Sequence, residues 1–403
     1  MGGRRVGAAI TTASVLAFSA VVQVVGQGVG QAGEPTTLAP GVTYQTFSLT
    51  ASHGPVQGYA VTVDLSNPHV SAGLLHPPSV AERQPVSTMA NAQHAIAGVN
   101  GDFFNISETH AGVTPTNSSD GPEVSAGRML KAAVPNSQRF GPGLPAGTST
   151  RDVIGVGIDR RGRLGTLTLR GSIITPSRQL DLDGVNQYAV RDGGIAAFTP
   201  AWGTTSRARV VCGSDTSRLA PCSTDTTEVT IAHGVVTSIN ATPGAGAIPN
   251  GTVVLVGRDA GADTLRALHV GEAAAVHYRL DSTTKVPFRF AVGGFPILEG
   301  GKPLPDLDNS VTAPRTAAGV SADGTRLYLI TLDGRAELSG GMTVLELAQQ
   351  LASMGASDGV NLDGGGSSTV VTRTPDQSQV TVDNNPSDGS ERPVANGIGV
   401  FVS

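Results

Sequence analysis

The run RLYLITL, Arg326–Leu332, carries apolar side chains on both faces of any extended strand. Leu327 and Leu329 fall on one face; Tyr328, Ile330 and Leu332 fall on the other. A strand that is apolar on both sides has to be covered on both sides. The chain must therefore build stacked layers, and the surrounding pattern says of what. IGVGIDRRGRLGTLTL (154–169), EVTIAHGVVTSI (228–239) and TAAGVSADGTRLYLITLDG (316–334) each read as strand, tight glycine turn, strand. By contrast, AVHYRLDS (275–282) alternates, with His277 and Arg279 opposite Val276, Tyr278 and Leu280. That strand has one solvated face, and His277 belongs to it.

Helical patterns are few. MTVLELAQQLASMGA sets Thr343 as N-cap with Glu346 three residues on, a capping box. Val344, Leu347, Ala348, Leu351 and Met354 then keep helical spacing until Gly355. A shorter helix is expected from Ser87 to about Ile96. Residues 107–147 and 374–390 are rich in Gly, Pro, Ser, Asn and Asp and read as long loops. The expected fold is α+β: twisted, mostly antiparallel sheets with a few flanking helices, in a single large domain over residues 33–403. Within it, residues 151–285 are a candidate inserted β subregion.

Residues 1–32 read as a signal peptide: Arg4 and Arg5, an uncharged apolar run from Val6 to Val25, then GQA with cleavage after Ala32. A membrane anchor of about 20 residues is the alternative reading of that run. No later segment is long and apolar enough to span a bilayer, so a cleaved chain is expected to be secreted and to leave the membrane. Of 27 basic residues only Lys131, Lys285 and Lys302 are lysines, a bias typical of GC-rich bacterial genomes. A net charge of -5 with 4% aromatics argues against a nucleic-acid partner, which calls for a basic stripe with stacking rings. Cys212 and Cys222 are the only cysteines. In an exported chain such a pair reads as a disulfide, with two free thiols as the alternative. No CxxC or neighbouring histidine pair supports a metal site there.

The polar residues that carry chemistry gather where apolar strands end. AGVNGDFF places Asn100, Gly101 and Asp102 between Val99 and Phe103; APRTAAG places Arg315 before a strand; TLDGR ends a buried strand at Asp333. GVNLDGGGSST ends another, with Asn361, Asp363, Gly364, Gly365, Gly366, Ser367 and Ser368 in close succession. Any one of these alone reads as an Asx-turn or a structural ion pair. Four of them at strand ends read as one site at a sheet edge. Three glycines permit positive φ and close approach of backbone to a ligand. Their amides are expected to form a nest for an anion such as phosphate, with Ser367 and Ser368 adding hydroxyls. The run is not a Walker loop, since no lysine follows it. An HExxH helix is also missing from the sequence.

AGVNGDFF, APRTAAGVSADG, LITLDGR, GASDGVNLDGGGSST and RPVANGIGVF, in this order and with VGGFPILEGG between them, resemble the phosphodiester glycosidase family. The resemblance is strongest from Asn100 to Asp102 and from Pro314 to Phe401, and it locates Arg392 within RPVANGIGVF. It implies hydrolysis of a sugar-1-phosphodiester at the sugar side, leaving a phosphate monoester on the other partner. A phosphate monoester leaves readily, so a cation on the phosphate and a carboxylate at the anomeric carbon suffice. On chemical grounds Arg315 and the glycine nest are expected to take the phosphate, and Asp363 and Asp102 the acid, base or nucleophilic work. Asn100, Gly101, Asp333, Asn361, Ser367, Ser368 and Arg392 are expected to line the substrate, with no metal and no cofactor. The substrate would be a carbohydrate phosphodiester, cell-wall or capsular in a bacterium. Two rival readings stand: a non-catalytic module binding cell-wall sugar or phosphate, and a phosphodiesterase cutting the P–O bond, which would normally need more His and Asp ligands.

Overall fold

The structure, a computed structural model, describes residues 28–335 and 339–403. The expected signal peptide lies outside the described residues up to position 27; Gly28–Ala32 is a strand paired with Val42–Ala51. Among the described residues no helix is long and apolar enough to cross a membrane.

RLYLITL is covered on both sides as its pattern requires. The strand Arg326–Leu332 lies inside a nine-stranded sheet, between Gly54–Asp64 and Arg315–Val320. Leu327 and Leu329 enter a core shared with Val99, Val370, Ile398 and Val400 of a five-stranded sheet. Tyr328, Ile330 and Leu332 enter a second core with Leu347 and Leu351 of the helix Val344–Ser353. One face thus packs sheet on sheet and the other sheet on helix. The capping box is formed, with Glu346 N donating to Thr343 Oγ1 and Thr343 N to Glu346 Oε2.

The three expected hairpins form: Asp152–Gly157 with Gly162–Ile174, Thr226–Ala232 with Val235–Asn240, and Arg315–Val320 with Arg326–Leu332. Ala275–Ser282 pairs with Gly162–Ile174 and leaves His277 exposed. Within residues 151–285, the strands between Gly184 and Arg258 form a five-stranded sheet of their own. Asp152–Gly157 and Gly162–Ile174 belong instead to a seven-stranded sheet with Phe288–Gly293.

Three expectations need correction. The fold is β-rich rather than α+β: four mostly antiparallel sheets and three α-helices are present among the described residues. The sheets bury one another, so little apolar surface remains for helices to cover. The first helix is Val86–Ala92 and stops short of Ile96, because Ala97–Asn100 is drawn into a strand beside Gly397–Val402. The stretch 107–147 is not all loop, since Glu123–Ser125 and Arg128–Lys131 pair within it. The cysteine expectation is met by a Cys212–Cys222 disulfide.

Candidate active site

Antiparallel pairing puts the polar strand ends on one edge. Ala317 lies opposite Asn361 and Arg315 opposite Leu332, so Arg315, Asp333 and the chain following Asn361 emerge together. In the five-stranded sheet, Asn100 lies opposite Gly397 at the end of its strand. The two sheets meet through the Asn100 side chain. Its Nδ2 donates to Asp363 O at 2.7 Å, and its Oδ1 accepts from Thr316 Oγ1 at 2.6 Å and from Thr369 N at 3.1 Å. Asn100 is fully buried and its amide is taken up by the protein, so it positions Asp363 instead of lining a surface. Asn361 is likewise buried, its Nδ2 donating to Leu362 O.

Asp363 is half-buried and lies against the start of the glycine run. Gly364 N donates to its Oδ1 at 2.9 Å, and Asp363 N donates to Gly101 O at 2.8 Å. Burial pushes its carboxyl up to about 6, against hydrogen bonds from Ser367 and Gly364 and the charge of Arg392. Arg392 closes the far side, donating from Nη1 to Ser367 Oγ at 3.3 Å and from Nε to Asp388 Oδ2 at 2.8 Å. This pair lies directly over Gly366, where a Cβ would come within 2.1 Å of Asp388 Oδ2 and 2.2 Å of Arg392 Nη2. The Arg335 guanidinium lies over Gly365, 3.7 Å from the position a Cβ would take.

The glycine run does not form the expected nest. Gly365 has φ +62, but its N–H donates to Pro314 O, and Ser367 and Ser368 N–H donate back to Gly364 and Gly365 carbonyls. The run folds as a 3-10 turn whose amides are mostly satisfied internally. Its glycines serve proximity, admitting Pro314 O, Arg335 and the Arg392–Asp388 pair. Arg315 also differs from expectation: its Nε donates to Met342 O and its Nη2 to Val311 O, and burial lowers its pKa. It ties two loops beneath the site. Asp333 accepts from Tyr59 OH at 2.8 Å and from Asn385 N at 3.0 Å, and burial raises its pKa. Asn384 bridges it to Ser368 O, so Asp333 buttresses the turn from behind.

Asp102 sits deeper, 4% exposed. Its Oδ1 accepts from Phe103 N and its Oδ2 from Gly121 N at 2.6 Å. Two glycines make room for it: a Cβ on Gly293 would lie 2.2 Å from Asp102 Oδ2, and one on Gly121 2.9 Å. Burial and the neighbouring Asp120 push the Asp102 carboxyl up to about 7. Asp120 is raised in turn by burial, even though it accepts from Tyr188 OH at 2.6 Å and Phe140 N at 2.9 Å. Lys131 is fully buried beside both carboxyls and donates to the Gly121 and Ala132 carbonyls. Arg139 stacks over Phe103 and Phe295 and, with Asp102, lines a narrow crevice.

Direct contacts link Asn100, Gly101, Asp363, the glycine run and Arg392, while Asn100, Asn361, Arg315 and Asp333 are engaged by the protein itself. Arg335, Asp388, Asp120, Lys131, Arg139 and Asn396 were missed. Asn396, in RPVANG, accepts from Asp102 N at 2.9 Å and donates to Glu123 Oε1 at 2.8 Å. The quoted motifs contained Arg335 and Asn396. Asp120 and Lys131 lay in a stretch read as loop, with no pattern to mark them.

Comparison with known proteins agrees with the motifs. Residues 225–401 match the model of the phosphodiester glycosidase family, the segment that holds Arg315, Asp363 and Arg392. The SPbeta prophage-derived uncharacterized protein YomE of Bacillus subtilis (strain 168) is 40% identical over 87 residues, 22% of this chain and 12% of that relative. A hypothetical protein from Synechocystis has a similar structure over 92% of this chain and 64% of its own, with TM-score 0.68 and 24% identity. A Burkholderia pseudomallei protein matches over 93% of this chain and 97% of its own, with TM-score 0.71 and 19% identity. At these identities the two solved structures bear on the fold alone.

Proposed function

We propose that this chain is a secreted hydrolase that cleaves a sugar-1-phosphodiester at the glycosidic bond and leaves a phosphate monoester on the other partner. The observation that carries the reading is the surroundings of Asp363. A half-buried carboxyl raised to about 6 sits between Ser367 and Arg392, with Arg335 over the adjoining glycine. Arg392 and Arg335 supply planar cations that can fork onto phosphate oxygens. They would neutralise the charge that develops as the C1–O bond breaks toward the leaving phosphate. Asp363 is assigned the carboxylate chemistry at the anomeric carbon, held in place by Asn100, Gly101 and Gly364. Arg315 takes a supporting role here, through the loops it ties. The family match over residues 225–401 and the Cys212–Cys222 disulfide support, respectively, the reaction class and an oxidising compartment.

The test is hydrolysis of a panel of methyl sugar-1-phosphate diesters in 18O-water, with and without a chelator, followed by phosphorus NMR and mass spectrometry. Methyl phosphate with 18O in the sugar is the expected product. Label in the phosphate would mean P–O cleavage, and binding without turnover would mean a non-catalytic sugar-phosphate module.

A further inference from the structure

Asp102 and Asp120 take no part in the chemistry assigned to Asp363, yet both line the narrow crevice, together with Arg139, Ser149 and Thr150. The centre of a water molecule has about 10 Å³ to occupy there, enough for one water and too little for a sugar. The lining offers carboxyl, guanidinium and hydroxyl groups to hold that water. Asp102 also adjoins the Asp363 edge. Asp363 N donates to Gly101 O at 2.8 Å, so the backbone that carries Asp363 runs beside the residue preceding Asp102. The Asp102 charge is close enough to raise the Asp363 carboxyl.

Hydrogen bonding sets the two carboxyls apart. Asp102 accepts an N–H on each oxygen, from Phe103 and from Gly121, and those donors stabilise its charged form. At Asp120 the count differs. Tyr188 has one hydroxyl proton but lies 2.6 Å from Asp120 Oδ1 and 2.9 Å from Gln138 O. A proton on Asp120 Oδ1, donated to the Tyr188 oxygen, frees the hydroxyl for Gln138 O and satisfies both contacts. Asp120 Oδ2 keeps its bond from Phe140 N. Carboxyls that share a buried crevice titrate as a pair, so charge on Asp102 makes the Asp120 proton harder to remove. Lys131 and Arg139 face the pair as cations, Glu123 lies beside Lys131, and Asp363 is a further acid near Asp102.

We propose that this crevice holds the hydrolytic water, with Asp102 as the base that takes its proton and Asp120 kept neutral beside it. The water oxygen bonds to C1 of the sugar, and one of its protons passes to the Asp102 carboxylate. The bond from C1 to the phosphate oxygen breaks, its electron pair leaving with the phosphate. Burial raises the Asp102 carboxyl to about 7, which suits a base working near neutral pH. The catalytic role rests on the hydrolase reading; the protonation of Asp120 does not.

Two measurements on the full chain test it. One is the pH profile of kcat on a methyl sugar-1-phosphate diester. Asp102→Asn should lower kcat about 100-fold or more and remove the limb that rises through about pH 7. Asp120→Asn should keep most of the turnover, because its amide N–H donates to the Tyr188 oxygen as a protonated acid does. Its limb should stay where it is in wild type, whereas loss of an ionised neighbour would lower it by about one pH unit or more. The other measurement, carbon NMR of aspartate-labelled protein, needs no turnover. One carboxyl of the pair should titrate near neutral pH while the other stays protonated. A limb untouched by Asp102→Asn, a limb lowered by Asp120→Asn, or two ionised carboxyls at neutral pH would each overturn the proposal while leaving the hydrolase reading in place. The expected NMR pattern without turnover of any diester would uphold the neutral Asp120 and defeat the hydrolase reading, and the base role with it.

Discussion

Asn100 donates from Nδ2 to the main-chain oxygen of Asp363 at 2.7 Å, joining two positions 263 residues apart. The same side chain accepts from Thr316 and Thr369, so one buried amide fixes three strand ends of two sheets. Asp363 reaches the site because of that bond. Replacing Asn100 by Ala would leave Thr316 Oγ1, Thr369 N and Asp363 O without their partner. We expect Asn100→Ala to lower stability by about 2–4 kcal/mol, read by chemical denaturation, and to lower turnover as well.

Asp363→Asn isolates the charge. The amide oxygen still accepts from Gly364 N, and the main-chain bonds to Asn100 and Gly101 are unaffected. The melting temperature should stay near wild type while kcat on a sugar phosphodiester falls by orders of magnitude. Near-normal turnover would reduce Asp363 to a turn residue and move the carboxylate role to Asp102.

The buried Asp102 gives the protein a signed pH dependence. Its folded pKa, pushed up to about 7 by burial and Asp120, lies above the usual carboxylate value near 3.8. The folded state therefore holds a proton that the unfolded state releases. This contribution is fully present below about pH 4 and is lost as the pH rises toward 7. In Asp102→Asn the decline in stability between pH 4 and 7 should become shallower. The absolute stability should also drop, because an amide nitrogen facing Gly121 N–H cannot accept the bond that Oδ2 accepts. An unchanged pH slope in thermal melts would exclude a raised pKa at Asp102.

Two glycine substitutions should separate folding from function. In Gly293→Ala the new methyl would meet Asp102 Oδ2 at 2.2 Å and the Gly121 backbone at 2.8 Å, with nothing free to yield. A loss of about 1–3 kcal/mol or more is expected. In Gly366→Ala the methyl meets the ends of Asp388 and Arg392, which can swing outward. Stability should change little, and KM for the phosphodiester should rise because Arg392 is displaced. Equal destabilisation by both substitutions would contradict this account.

Replacing both Cys212 and Cys222 by Ala should reduce stability by somewhat under ~3 kcal/mol, the loop-closure entropy of so short a ring. Turnover of a small diester should survive, since the disulfide loop is not among the residues around Asp363. Alkylatable thiols in the native protein would show that the pair is not bonded.

The sequence alone determined what is local. The alternation of RLYLITL required cover on both faces, and Leu327 and Ile330 indeed enter different cores. Glycine turns set the hairpins, and Thr343 with Glu346 set the start of the helix. The motifs named the site's residue types because acids and cations at strand ends are local patterns too. Only the tertiary structure decided what each group is left free to do. The three glycines could offer amides to an anion until Pro314 and the 3-10 turn took most of them. Arg315 had a free guanidinium on paper, whereas in the fold it is held by the Met342 and Val311 carbonyls. Asp120, Lys131 and Asn396 gain their significance from facing Asp102 across long stretches of chain. A sequence shows which hydrogen-bonding groups exist. Which of them are already satisfied depends on contacts between distant segments, and burial, which sets the carboxyl pKa values, exists only once those segments have met.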